Sequence, residues 1–535
     1  MDQDNDSSRH SRREFLKAGA GALGALGVAG SSLGATPGGS AAGDSPRPNF
    51  VFFLQEGVRP DEYSSWKMAD WDSNGLSAMG NRVISTPHLD RIVKEGISFR
   101  NAFVTNALCL PSRASILTGL YSHETGAIDN LDRPIPEGVP TIAGLLRDAG
   151  YEVGFFGKAH VHDLSKADYW DTFFGVEAAG ADYYHPRLIE SHHGVAHPPK
   201  EYNGYADDLI AERALEWMNR KRDKPFCLFF WFIAPHAPFY RARHLLDLYD
   251  GVKIPKPITF DADLKGYPGK PLAFKEANNR IGTTVMGDCA RSLEEVVKDH
   301  YAGVVSNDEI AGKFMDSLEK AGTLDDTAIV ISGDHGFFLG EWRFYDKRFM
   351  HEPSIRVPMA IRYPRLCRAG LSPSDMAINL DLSPTVLELA GVEVPDWFQG
   401  HSLVPFMKGT SPVSWRKDWL YEYYEYPFFE HVKPHRGVRT DRYKLIHYFL
   451  PPQEYELYDL QVDPGELHNL ANDPAHAKLK QQLIDRLAEL RRETGDEYEY
   501  QEPNAYEYQR QKMDQPKNLR EIFTPPPSRP EGRGR

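Results

Sequence analysis

The chain consists of short, continuous apolar runs separated by longer segments with a helical period. The predicted strands are residues 49–54, 97–103, 151–156, 226–233 and 327–332. A strand that is apolar at almost every position is buried on both faces, as in a parallel sheet covered by helices. The predicted helices are residues 86–96, 140–149, 201–221, 292–322 and 379–391. This pattern predicts an α/β fold with a large, mostly parallel central sheet sandwiched by helices.

The pattern changes after residue 400, where Tyr, Trp and charged residues alternate. Strand-like stretches cover residues 437–446 and 456–460. A final helix carries an apolar stripe formed by Leu479, Leu483, Ile484, Leu487 and Leu490. We predict a main domain over residues 46–400, a smaller α+β subdomain over residues 401–500 and an irregular tail over residues 501–535.

Two internal segments lack a clear period. Residues 167–204 are rich in Tyr, His and Pro, and we predict a loop excursion that lines a pocket. Residues 251–287 contain Pro and Lys without periodicity, and we predict a long insertion near the same pocket.

The first 45 residues have the features of an export signal. Residues 11–17, Ser-Arg-Arg-Glu-Phe-Leu-Lys, resemble a twin-arginine signal, and an uncharged Gly/Ala-rich run follows over residues 18–43. This run is too weakly apolar for a stable membrane span. The sequence therefore predicts export by the twin-arginine translocase and a periplasmic or secreted protein. Because that route carries folded proteins, any covalent maturation can come first, in the cytoplasm.

Composition narrows the possible partners. The chain has 535 residues, and its formal net charge of -14 comes without a long basic run. Such a balance argues against a nucleic-acid partner. It leaves open a local cationic pocket for an anionic substrate, because net charge says little about one cleft.

Polar residues able to act in catalysis or metal binding occur shortly after four of the predicted strands. They are Glu56, the pair Lys158 and His160, His236, and the pair Asp334 and His335. In an open α/β sheet, ligands bind beyond the carboxyl ends of the strands. We therefore expect these side chains to meet at one rim, where carboxylates and imidazole can bind a divalent ion and cations can bind an anion.

A further segment, residues 108–119, adds a cysteine to this set. Pro111 suits the first turn of a helix, and the unpaired N–H groups of that turn favour an oxyanion. The run Cys109-Leu110-Pro111-Ser112-Arg113, followed by Thr118-Gly119, resembles the signature of the type I, formylglycine-dependent sulfatases of the alkaline phosphatase-like superfamily. The segments 157–160 (Gly-Lys-Ala-His), 333–336 (Gly-Asp-His-Gly) and 345–348 (Tyr-Asp-Lys-Arg) are similar to further motifs of that family. The resemblance covers roughly residues 48–472.

The resemblance implies a set of roles. A formylglycine-generating maturation enzyme would oxidise Cys109 to an aldehyde that hydrates to a diol, with the cation of Arg113 beside it. Lys158 and Lys347 would bind the sulfate ester, His160 would contact the formylglycine, and His236 would lie near the leaving oxygen. Glu56, Asp334 and His335 would bind Ca²⁺ or Mg²⁺. The family also implies a C-terminal subdomain in which a small antiparallel sheet packs with the terminal helix.

The same resemblance implies the reaction. One hydroxyl of the diol attacks sulfur, while the metal and the cations offset the charge of the sulfate oxygens. His236, with Lys347, protonates the departing alcohol, and His160 then takes a proton from the second hydroxyl, so that sulfate leaves. The expected substrate is a sulfated carbohydrate or a small organosulfate.

The sequence departs from the family at the first metal motif, where sulfatases usually carry Asp-Asp and this chain has Glu56-Gly57. Bidentate binding by Glu56 would fill both places, since Ca²⁺ accepts that geometry. The alternatives are a weaker site, help from Asp61, or a Glu56 that is only a surface loop residue. Two other functions stay open: a phosphonate monoester or phosphodiester hydrolase of the same fold, and a non-catalytic binding protein with a degraded metal site.

Overall fold

The computed structural model describes residues 47–64, 83–131, 134–257, 259–260, 269–281, 291–427 and 430–500. The predicted signal over residues 1–45 and the predicted tail over residues 501–535 lie outside the described residues. Within them, no helix combines the length and the apolar character that a membrane crossing requires.

The strands, in chain order, are β1 Asn49–Gln55, β2 Ile97–Ser98, β3 Ala102–Phe103, β4 Glu152–Lys158, β5 Thr172–Val176, β6 Arg187–His192, β7 Val195–Ala196, β8 Lys200–Glu201, β9 Phe226–Trp231, β10 Thr327–Gly333, β11 Phe338–Leu339, β12 Tyr345–Asp346, β13 Met359–Arg362, β14 Ala377–Ile378, β15 Asp418–Tyr423, β16 His435–Thr440, β17 Tyr443–Tyr448 and β18 Glu454–Asp459. The α-helices are α1 Pro87–Glu95, α2 Cys109–Thr118, α3 Ser122–Thr125, α4 Ile142–Asp148, α5 Ala206–Met218, α6 Leu272–Glu276, α7 Leu293–Lys320, α8 Glu352–Ile355, α9 Leu382–Leu389, α10 Val404–Met407 and α11 Ala477–Thr494.

A ten-stranded sheet forms the centre of the molecule. Its order is β2-β13-β10-β1-β9-β4-β5-β6-β7, and β8 pairs with β6. The five middle strands, β10, β1, β9, β4 and β5, are parallel to one another, and the outer strands are antiparallel. The predicted fold class is confirmed, because the apolar runs that lack alternation are the strands in the parallel centre.

Helices cover both faces of this sheet. Alternate residues of β1 enter different cores: Phe52 belongs to one and Phe53 to the other. The core around Phe52 includes residues of α4 and α9, whereas the core around Phe53 includes residues of α1, α5 and α7. Burial on both sides explains why residues 50–54 of β1 are all apolar.

The C-terminal region forms a second, four-stranded antiparallel sheet in the order β15-β16-β17-β18. Helix α11 packs against it, and Leu483, Leu487 and Leu490 of its predicted stripe are buried. The smaller α+β region is thus confirmed. These residues join the same core as Phe52, so the two sheets share apolar packing.

Two predicted elements were wrong in detail. Residues 167–204 are not a loop excursion, because β5 to β8 extend the central sheet there and β5 pairs in parallel with β4. Strand β5 was not predicted because its apolar run is short and lies in a segment rich in Tyr, His and Pro. The predicted strand 97–103 is split by a turn into β2 and β3, which belong to different sheets. Residues 437–446 contain parts of two strands, β16 and β17, which form a hairpin.

Candidate active site

Cys109 is the first residue of α2, a helix whose residues are all buried. Leu108 before it is extended, and the helix ends at Gly119 in the left-handed region. The Sγ of Cys109 lies 3.1 Å from Glu56 Oε1 and 3.2 Å from His335 Nε2. The predicted nucleophile precursor therefore lies at a helix N-terminus, where unpaired N–H groups favour negative charge.

Glu56 and Asp334 are neighbours because the strands that precede them are neighbours. Strands β1 and β10 pair in parallel with Gln55 opposite Gly333, so the next residue of each strand reaches the same rim. The backbone N–H of Gly57 donates to Asp334 Oδ1 at 3.0 Å. Ligand atoms of Glu56, Cys109, Asp334 and His335 all lie within 4.8 Å of one another.

Three cations surround this acidic pair. Glu56 Oε2 accepts from Lys158 Nζ and from Arg113 Nη2, each at 2.8 Å. Arg113 Nε donates to Asp334 Oδ2 at 2.9 Å, and the guanidinium lies over the Trp231 ring. The Nζ of Lys347 lies 4.0 Å from Glu56 Oε1. Glu56 is 1% exposed, so the hypothesis of a surface loop residue is wrong.

Two histidines complete the contacts of Cys109. The imidazole Nδ1 of His236 bonds to the carbonyl O of Ala237 at 2.7 Å, and Nε2 lies 3.9 Å from Glu56 Oε1. Burial, followed by the charge of Lys158, lowers the pKa of His236. Burial likewise lowers the pKa of His160 to about 4, although its contact with Cys109 opposes that shift. Both rings are therefore neutral at pH 7 and able to accept a proton.

The thiol of Cys109 is acidic in this environment. Burial and the charge of Glu56 act to raise its pKa, but Lys158, Lys347 and His335 outweigh them and hold the pKa well below its usual value. The N-terminus of α2 adds to the same effect. The pocket thus stabilises an anion at the position of the Sγ atom.

The segment that carries His236 is held by buried polar groups from two helices. Asp207 of α5 accepts from the backbone N–H of Ile233 at 3.0 Å and of Ala234 at 2.8 Å. Asn307 of α7 donates to the carbonyl O of Ala234 at 3.0 Å. These contacts fix the path of the chain where it leaves β9. Sequence reasoning missed both residues, since neither lies near a motif.

The departure from the family at Gly57 has a structural counterpart. Gly57 has a φ of 62°, and a Cβ placed there would lie 3.1 Å from Phe337 Cδ2 and 3.4 Å from His335 Cε1. Asp61 does not take the missing place, because both of its carboxylate oxygens bond to Arg59, at 2.9 and 2.6 Å. The suggested help from Asp61 is therefore wrong in this structure.

Glu56, Asp334 and His335 fit a divalent cation. Two carboxylates and an imidazole are a donor set that such ions accept. Burial and repulsion by Glu56 raise the pKa of Asp334 to about 6, and a cation between the two carboxylates would relieve that repulsion. His335 Nδ1 bonds to the carbonyl O of Gly336 at 2.8 Å, which orients Nε2 toward both carboxylates. Burial opposes protonation of this ring, but Asp334 and Cys109 outweigh it and raise its pKa to about 10.

A cluster of charged side chains around Lys347 and Arg348 was not predicted from the sequence. Lys347 Nζ lies 3.1 Å from Asp346 Oδ1, and Arg348 Nη2 lies 2.8 Å from Glu430 Oε1 and 3.0 Å from Glu425 Oε1. Burial raises the pKa of Glu430 to about 8, although the charge of Arg348 opposes this. Both glutamates come from the C-terminal region, where no motif marked them.

Comparison with known families identifies two matching family models. Residues 48–392 match the model described as "Sulfatase", and residues 340–493 match "N-sulphoglucosamine sulphohydrolase, C-terminal". A curated relative, the N-acetylglucosamine-6-O-sulfatase of Bacteroides thetaiotaomicron, is 34% identical over 523 residues, covering 87% of this chain and 89% of the relative.

Solved structures agree with these matches. One, described as a complex with its substrate D-glucosamine-2-N,6-O-disulfate, is 33% identical with a TM-score of 0.76, covering 84% of this chain and 99% of the other. A phosphonate monoester hydrolase from Silicibacter pomeroyi is 23% identical with a TM-score of 0.65, covering 84% and 96% of the two chains. At that identity the second match supports the fold alone.

Proposed function

The chain belongs to the sulfatase family and is an enzyme that hydrolyses sulfate esters, and on that premise we propose that it removes the 6-O-sulfate of glucosamine-type sugars. The observation that carries the proposal is the 34% identity to an N-acetylglucosamine-6-O-sulfatase over 87% of the chain. The fold neighbour described as a glucosamine disulfate complex supports the same substrate class.

We propose that Cys109 is converted to formylglycine by a maturation enzyme. The position of Cys109 supports this conversion, since a nucleophile at residue 109 would lie beside Arg113, Lys158 and Lys347. A hydrated aldehyde supplies a hydroxyl nucleophile and, afterwards, a second hydroxyl whose deprotonation releases sulfate. Burial of Cys109 among cations is also consistent with the binding of an anionic ester at this point.

We assign Glu56, Asp334 and His335 to a Ca²⁺ or Mg²⁺ ion, which when bound would polarise a sulfate oxygen. The remaining roles belong to side chains. Arg113, Lys158 and Lys347 hold negative charge on the sulfate group. His160 accepts a proton next to residue 109, and its lowered pKa keeps the ring neutral and available for this at pH 7. His236 and Lys347 serve the leaving oxygen, and Lys347 keeps its proton because Asp346, Cys109 and Glu56 raise its pKa against the effect of burial.

We also propose export by the twin-arginine translocase, on the strength of the motif at residues 11–17. Activity in the periplasmic or secreted fraction is expected for the full chain. A matched variant with Arg12→Lys and Arg13→Lys should retain activity in the cytoplasmic fraction instead. Equal export of both proteins would refute the signal.

The substrate is tested with protein made together with a maturation enzyme. Release of inorganic sulfate is measured with N-acetylglucosamine-6-sulfate, its 3-sulfate isomer, galactose-6-sulfate and choline sulfate, and a phosphonate monoester is assayed in parallel. We expect kcat/KM to be highest for the glucosamine 6-sulfate. A preference for another sulfate ester would refute the assigned substrate, and faster turnover of the phosphonate would refute the sulfatase assignment for this site.

Maturation is tested on the same protein by mass spectrometry of the peptide that contains residue 109. Conversion of cysteine to formylglycine lowers the mass by about 18 Da, a change distinct from the additions of ordinary thiol oxidation. Cys109→Ala provides the matched control, with neither the mass loss nor turnover. An active enzyme with an unmodified thiol would refute the formylglycine assignment.

A further inference from the structure

The loop that delivers Lys347 to the site is strained. Trp342, Arg343, Asp346 and Arg348 have φ values of 49°, 62°, 92° and 94°, in the left-handed region that disfavours side chains. Non-glycine residues keep such conformations only where the surrounding structure holds them, often at functional sites. A specific set of contacts must therefore hold residues 340–348.

Those contacts come from the insertion, in the segment 269–281. Asn279 forms a pair of hydrogen bonds with the backbone of Tyr345, two residues before Lys347. The main-chain carbonyl O of Asn279 accepts from the N–H of Tyr345 at 2.9 Å, and the side-chain Nδ2 donates to the carbonyl O of Tyr345 at 3.0 Å. Asn279 is fully buried. One residue thus satisfies both backbone groups at the centre of the strained loop.

Neighbouring residues hold the start of the same loop. Arg280 Nη1 donates to the carbonyl O of Trp342 at 2.6 Å, and its guanidinium lies 4.0 Å from the centroid of the Phe344 ring. The N–H of Ile281 donates to the carbonyl O of Arg343 at 2.7 Å. The segment 269–281 therefore binds the backbone of the strained loop at Trp342, Arg343 and Tyr345.

The insertion is itself anchored to the C-terminal sheet. Lys270 is buried, and its Nζ donates to Tyr458 Oη at 2.6 Å, to the carbonyl O of Glu466 at 3.0 Å and to Glu456 Oε2 at 3.2 Å. The N–H of Asn278 donates to the carbonyl O of Glu430 at 2.8 Å. The segment thus connects the C-terminal region to the strained loop of residues 340–348.

We propose that the segment 269–281 positions Lys347 for catalysis and that Asn279 is its principal positioning residue. The inference rests on the role of Lys347 given under the proposed function. Asn279 acts on the conformation of residues 345–347, and Lys347 acts on the sulfate ester. Displacement of a catalytic group by about 1 Å can cost on the order of 100-fold in rate.

The test compares Asn279→Ala with Lys275→Ala, a control at an exposed position of the same segment. We expect kcat of Asn279→Ala to fall by about 10- to 100-fold, the range that misplacement of one catalytic group produces. The loss should be larger for a sugar sulfate than for 4-nitrophenyl sulfate, whose leaving group needs no proton. A merely destabilised protein would lose both activities in the same proportion, and that result would overturn the proposal.

A double-mutant cycle identifies the residue through which Asn279 acts. In a Lys347→Ala background, Asn279→Ala should change kcat less than threefold. An equal loss in both backgrounds, or an unchanged kcat in the single variant, would overturn the proposal. If Asn279→Ala does not fold, Asn279→Leu replaces it, because it nearly keeps the side-chain volume and removes the N–H donor without adding a charge. An inactive parent enzyme would instead contradict the sulfatase function, so the two failures are distinguishable.

Discussion

Replacement of Glu56 by Gln decides whether this carboxylate binds the metal or serves only as a counter-ion. The structure allows both roles. Glu56 Oε2 accepts from Lys158 and Arg113 at 2.8 Å, while Oε1 faces His335 Nε2 at 3.4 Å. Burial opposes its charge, but Lys158, His335, His236 and Arg113 lower its pKa well below the usual value. The residue is therefore an anion at neutral pH.

The change has two separable effects on stability. Removal of one partner from a buried ion pair typically costs about 3–5 kcal/mol, and Gln keeps an oxygen for Arg113, so we expect the lower end without metal. The second effect appears only with the ion. A ligand at 100 times its Kd stabilises the native state by about 2.7 kcal/mol, and loss of a charged ligand should remove most of that gain.

The assay is calorimetric unfolding of chelator-treated protein, with and without millimolar Ca²⁺. We expect a clear rise in Tm for the parent protein and little or none for Glu56→Gln. Glu62→Gln is the matched control, because Glu62 is also buried but accepts from the backbone N–H of Arg59 and lies 2.9 Å from His300 Nε2, outside the metal cluster. It should have a lower Tm in both conditions and keep the Ca²⁺ shift. An undiminished shift in Glu56→Gln would refute the role of Glu56 as a ligand.

Three further predictions follow from other sites. Burial opposes protonation of His123, but Glu422 outweighs that effect and raises its pKa to about 9, above an unfolded value near 6.5. The pair therefore stabilises the fold fully below pH 6.5, and this stabilisation is lost as pH rises through 9. His123→Gln should remove about 3 kcal/mol of the pH dependence of the unfolding free energy, measured in urea from pH 6 to 10, and parallel profiles for the two proteins would contradict this. Gly57→Asp should bring a carboxylate toward His335 and enlarge the Ca²⁺-induced rise in Tm relative to the uncharged control Gly57→Asn. Backbone strain at a φ of 62° should lower stability without metal. Equal Tm shifts in the two variants would show that position 57 does not reach the ion. Leu487→Ala should lower the unfolding free energy by about 2–5 kcal/mol in the same urea assay, because the side chain is buried between α11 and the C-terminal sheet. A loss below about 1 kcal/mol would contradict that packing.

The parallel centre of the fold could be predicted because burial on both faces leaves a simple signal. Each of β1, β4, β9 and β10 contains a continuous run of residues without charged or strongly polar side chains. Strand β5 carries the same signal over only five residues, Thr172–Val176, and polar neighbours outweighed it in the prediction. A short strand depends on pairing with its neighbours in the sheet, which a local sequence window does not contain.

The same distinction holds for the site. Glu56, Lys158, His236 and Asp334 could be predicted to converge because each follows a strand of one sheet. Asn279 could not, since its contact with Tyr345 joins an irregular insertion to a strained loop 66 residues away. The pairing of Asp61 with Arg59 was also not predicted, and Arg59 pairs in addition with Glu341, a contact across 282 residues that no local pattern shows.

The exchange of Asp-Asp for Glu56-Gly57 changes how charge is distributed at the rim. Without an ion, Glu56 neutralises Lys158 and Arg113, the cations that a sulfate ester would need. An ion held by Glu56 would share that negative charge and leave the cations more positive toward the substrate. Because the chain has one acidic side chain here in place of two, the same carboxylate must serve the metal and the cations. Binding of metal and binding of anionic substrate should therefore reinforce each other.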